Sequence, residues 1–113
     1  MHSAAEPTRL SIRDILDANV WVSSEDGQKV FDAISARLIA GERVSVSFSG
    51  REQVITAFLN VAIGQLYAGS IPWNELEARL AFEDLGDGDR EKVNMVAHNA
   101  KRFFQQRNQS QGL

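Results

Sequence analysis

The acidic run FEDLGDGDRE brings Glu83, Asp84, Asp87, Asp89 and Glu91 into one short stretch, the densest set of potential metal ligands in the chain. It lacks the regular alternation and the closing Glu of an EF-hand loop. A solvated turn capping a following helix, with Asp87 or Asp89 as the cap, is the expected reading. The two histidines add little, since His2 lies in the N-terminal stretch and His98 stands between Ala97 and Asn99 on a helical pattern. A lone helix histidine is far more often a surface residue than a base or a ligand. SFSG, at 47–50, is not a G-x-S-x-G elbow, and no His–Asp pair serves it. No G-x-G-x-x-G or P-loop occurs, and the absence of cysteine removes thiol nucleophiles, disulfides and zinc ribbons. The expectation is a protein with no catalytic residue, no cofactor and no metal, and hence not an enzyme.

The bulk properties agree with a binding or structural role. With 113 residues, 43% hydrophobic and 24% charged, the chain suits a single folded domain with one modest core. A net charge of −3 argues against nucleic acid as a partner. The cations of AHNAKRFFQQR suit a helix C-terminus better than a DNA-reading surface. The opening MHSAAEPTRL has no apolar core of a signal peptide, and no run is apolar enough for a membrane span. A cytoplasmic domain over 8–107 is expected, with a disordered tail at 1–7 and a C-terminal tail at 108–113.

Three alternating patterns must position whatever site exists. RLSIRDI sets Leu10 and Ile12 against Arg9, Ser11 and Arg13; RVSVSF sets Val44, Val46 and Phe48 against Ser45 and Ser47. EARLAFED sets Ala78, Leu80 and Phe82 against Arg79, Ala81 and Glu83. Each reads as a strand with one apolar face, and NVWV, at 19–22, reads as a further short strand. Three helical patterns separate or follow them. The first is capped by Ser23 or Ser24 and ended by Gly41, the second runs from Ile55 to Ala68, and the third follows GDGD. Strands separated by helices pair in parallel. Parallel sheets covered on both faces have strands apolar on both faces, which these are not. The predicted fold is therefore an α/β two-layer sandwich, a mostly parallel sheet of three to five strands with helices on one face. Ser45, Ser47, Arg79 and Glu83 are expected on the open face.

The second helix has an unusual surface. Between Glu52 and Glu75 the chain carries no charge, so Thr56, Ala57, Asn60, Val61, Gly64, Gln65 and Ala68 are left as its outward positions. Either two neighbouring helices cover this face, or a partner does, because interface cores are depleted in charge.

RVSVSFSGREQVITAFLNVAIGQLYAG, preceded by GQKVFDAISARLIAGE, resembles the STAS-like domain family of unknown function, relatives of the anti-sigma factor antagonists. The resemblance spans about Leu10 to Phe104. It implies a two-layer module that docks on a partner protein, commonly a kinase-like ATPase of the anti-sigma type. The docking surface is the loop after the central strand together with the following helix start. In this chain that surface is Ser49, Gly50, Arg51, Glu52, Thr56, Ala57 and Asn60, with Arg51 and Glu52 as exposed loop charges. Antagonists carry a phosphorylated serine at the helix start; here Ala57 takes its place, Ile55 replaces the antagonists' Asp, and Thr56 is the one neighbouring hydroxyl. Two rival readings are a small-ligand sensor of nucleotides or lipids and a homodimer formed through the open sheet face.

Overall fold

The computed structural model describes residues 6–111, with side chains described for 6–105. The first five residues of the expected N-terminal tail lie outside the described residues, as do the last two of the C-terminal one. In chain order the elements are β1 (Thr8–Ser11), α1 (Ile12–Leu16), β2 (Val20–Trp21), α2 (Ser24–Ile39), β3 (Val44–Ser47) and β4 (Gln53–Val54). Then come α3 (Thr56–Ala62), a 3-10 helix (Gly64–Ala68), α4 (Trp73–Arg79), β5 (Leu80–Glu83) and α5 (Asp89–Gln111). The last helix thus runs past the boundary placed at 107.

β3 is the central strand of a three-stranded parallel sheet in the order β1-β3-β5, and β2 pairs with β4 in a separate parallel pair. The register produces rows across the sheet. Thr8–Val44–Leu80 and Leu10–Val46–Phe82 face the helices, while Arg9–Ser45–Ala81 and Ser11–Ser47–Glu83 face away. The alternation read from the sequence therefore assigns both faces of β3 correctly. Under the helices lie Val44, Val46 and Phe48, joined by Ile34, Phe58 and Leu59. Trp21 packs edge-on against Phe48 at 5.6 Å and tilted against Phe58 at 6.2 Å.

Three expectations need correction. Ser45 and Ser47 are fully buried, because Arg9, Glu83 and Asp84 fold over them as a hydrogen-bonded canopy. Arg79 belongs to α4 and not to a strand; its guanidinium donates to the carbonyls of Leu38 and Glu42, tying α4 to the end of α2. Pro72 opens α4 and Glu75 pairs with Arg79 one turn on, so helical spacing wins over the two-residue alternation until Leu80. Third, the helix expected over 55–68 breaks at Ile63 into α3 and the tighter 3-10 turn.

The charge-free helix has two covers. A Cβ on Gly27 of α2 would stand 2.8 Å from the Phe58 carbonyl oxygen and 2.9 Å from Val61 Cβ. On the other side, Gly64 lies under Val96 and Ala100 of α5. At Gly27 the approach is too close for any side chain, whereas at Gly64 a Cβ would make only ordinary contact, at 3.6 Å from Val96 and 3.8 Å from Ala100.

Candidate functional site

Phe48 is the last inward-facing residue of the β3 segment, and the chain reverses immediately after it. The Arg51 N–H donates to the Phe48 carbonyl at 3.2 Å, and Gly50 takes φ +84°, a left-handed angle that favours glycine. The Arg13 side chain lies over this turn, with its Cδ 2.6 Å from where a Gly50 Cβ would stand. The following backbone is held to the β2 segment. Glu52 N–H donates to Asn19 O at 2.8 Å and Ile55 N–H to Trp21 O at 3.3 Å. Lys92 of α5 adds a bond to Val54 O at 3.1 Å.

α3 starts at Thr56, and Ile55 before it supplies no side-chain cap. Ser49, Gly50, Glu52, Ala57 and Asn60 are exposed, and Thr56 is partly so. Six of the seven predicted positions therefore have a described surface beside one another along this turn and helix start. Arg51 differs, being largely covered and committed within the chain. Its Nε donates to Asp89 Oδ2 at 2.8 Å.

Asp89, expected in a solvated turn, is only 1% exposed. The same Oδ2 accepts the Gly86 N–H at 2.8 Å, which closes the turn before α5. The sequence offers Asp87 or Asp89 as the cap; in the structure Asp89 is the first residue of α5 and its carboxylate serves the preceding turn and Arg51, an ion pair that nothing local in the sequence announces. Nor does the sequence announce the canopy. Ser47 Oγ donates to Asp84 Oδ2 at 2.6 Å and accepts from Arg9 Nη2 at 3.2 Å and from the Ser49 N–H at 3.1 Å. One hydroxyl thus uses its single donor and both lone pairs. Asp84 reaches it from a left-handed backbone at φ 59°. The Ser47 hydroxyl holds the Asp84 carboxyl below the usual carboxylate range, against the opposing effect of burial and with further help from Arg9.

Ser47 is saturated by its three partners, and His98 sits exposed on α5. Among the described residues no three acids, histidines or cysteines converge as metal ligands, and no helix is long and apolar enough to cross a membrane.

A parallel sheet with all its helices on one face, and an anchored loop after its central strand, defines a two-layer α/β module. The model of the family described as "STAS-like domain of unknown function (DUF4325)" matches residues 26–90, more than half of the chain, and the protein belongs to that family. The match runs from the start of α2 through β5 to the first turn of α5, so it contains the whole loop. No curated protein and no solved structure matches this chain.

Proposed function

We propose that this domain is a non-enzymatic regulatory module that docks on a partner protein through Ser49, Gly50, Glu52, Thr56, Ala57 and Asn60. The observation that carries the reading is the combination of exposure and restraint in that loop. Apart from Glu52 the six side chains are small, and all are at least partly open to solvent, while the backbone is held by Asn19, Trp21 and Lys92 and the Arg51 side chain by Asp89. A preorganised surface loses little entropy on binding, and the small neutral side chains of Thr56, Ala57 and Asn60 admit close approach, with Glu52 as the one charge among the six that a partner must match. Arg51 serves this surface from behind, as the residue that fixes its shape.

The proposed partner is an ATP-binding, kinase-like protein of the anti-sigma type, and Thr56 is the proposed phosphoacceptor. A phosphate there would add charge at the edge of the patch and alter docking more than folding. Docking through the polar sheet face is disfavoured, because a partner there would have to desolvate Arg9, Glu83 and Asp84 together.

The test is a paired capture. Wild-type and Ala57→Arg domains are used as bait for the kinase-like protein, and the melting temperature of each bait is measured. Retention by wild type and loss by an equally stable Ala57→Arg supports the reading. Equal retention by both would place the interface elsewhere. Intact mass after incubation with partner and ATP decides the phosphoacceptor.

A further inference from the structure

A second feature lies away from the docking loop, in the cleft between β5 and α5. Its volume is about 120 Å³, and Leu80, Phe82 and Leu85 form its apolar wall. That is close to the roughly 150 Å³ of an engineered cavity that takes up benzene. Arg90, Asn94 and Ala97 line the α5 side, and their spacing puts them on one helix face.

The two ends of the cleft differ. At the Lys101 end, the Glu77 carboxylate is already occupied, by Lys101 Nζ at 2.8 Å and the Tyr67 hydroxyl at 2.9 Å. At the other end, Arg90 and Asn94 are exposed and, among the described residues, their side chains carry no hydrogen bond or ion pair. A guanidinium fork and an amide one turn apart offer a pair of donor groups suited to a carboxylate. One arginine, with an acid further along the cleft, matches a single negative charge better than a double one.

We propose that this cleft binds a small monocarboxylate with an apolar body, its carboxylate on Arg90 and Asn94 and its body against Phe82 and Leu85. The cleft volume limits that body to about one ring or a short alkyl chain. The proposal is independent of the docking loop, which shares none of these residues.

The probes are benzoate, 3-phenylpropanoate and hexanoate, with 3-phenylpropanol as the neutral counterpart of the second. Each is titrated into the full chain while the backbone amides of Val93 and Ala97, which line the cleft, are followed by heteronuclear NMR. At least one acid should give saturable shifts with Kd at about the millimolar level or tighter. The alcohol should bind about tenfold more weakly than its acid. Arg90→Gln, at an exposed position without a partner, should keep the wild-type Tm and weaken acid binding about tenfold. Asn94→Leu should weaken acid binding and leave the alcohol unaffected. No saturable shift with any of the three acids would overturn the proposal. So would equal binding of acid and alcohol, or undiminished acid binding by a folded Arg90→Gln.

Discussion

Arg51 Nε lies 2.8 Å from Oδ2 of the buried Asp89, joining the turn after the central strand to the first residue of the longest helix. Two segments far apart in the chain are thereby fixed at one point, directly behind the proposed docking surface. Removing Arg51 would leave a buried carboxylate whose remaining partner on that oxygen is the Gly86 N–H. Arg51→Ala is therefore expected to cost about 3 kcal/mol, read as a lower urea midpoint at unchanged slope. Asp89→Asn should cost less, because the amide carries no buried charge. A loss within about 0.5 kcal/mol for Arg51→Ala would mean that the pair is a surface contact only.

The canopy over β3 gives the next expectation. Ser47→Ala removes a buried hydroxyl that serves Asp84, Arg9 and the Ser49 N–H together. A loss of about 1–3 kcal/mol is expected by chemical denaturation, with faster amide exchange at Ser49. An unchanged exchange rate at Ser49 would show that the hydroxyl does not restrain the turn.

Acid should weaken the fold through the same group. The Asp84 carboxyl is depressed by Ser47, and Glu77 is depressed first by Lys101 and then by Tyr67, with burial opposing both shifts. A depressed carboxylate stabilises the fold above its unfolded pKa, and that contribution disappears as pH falls through the folded value. Stability should thus be level near neutrality and decline below about pH 4. Asp84→Asn should flatten the decline. A mutant profile parallel to that of wild type would assign the acid sensitivity to other groups.

Gly27→Ala tests the seam between α2 and α3. Its new methyl would meet the Phe58 carbonyl at 2.8 Å, and a backbone atom cannot rotate away. The helix propensity gained by alanine is about 1 kcal/mol. Overpacking costs about 1–3 kcal/mol, so a net loss of Tm is expected. A raised Tm would show that the two helices separate freely.

Much of this fold can be read from the chain, and the boundary of what can be read is physical. Val44, Val46 and Phe48 alternate with serines, so the inner face of β3 follows from period alone. Ser23 and Gly41 punctuate α2 where local chemistry requires. What escapes is long-range: Arg51 reaching Asp89, and Arg9, Glu83 and Asp84 covering Ser45 and Ser47. A serine is compatible with solvent or with a buried network, and only residues that the topology brings from other strands decide which. The segment Trp73–Arg79 misleads for another reason, since Ala78, Leu80 and Phe82 alternate across a helix-to-strand junction that period alone does not mark.

The register of the main sheet also bears on how the chain acquires this structure. Val44 pairs with Thr8 on one side and with Leu80 on the other, so neither ladder can begin as a local hairpin. Each requires the closure of a long loop, and high contact order of this kind slows folding. The serines sharpen the effect, because Ser45 and Ser47 find their carboxylate acceptors only at Glu83 and Asp84. A nascent chain that ends before residue 83 exposes a central strand whose hydroxyls have no acceptor but water. Such a chain should remain sensitive to protease until β5 is available, after which protection should rise across β1, β3 and β5 in a single step.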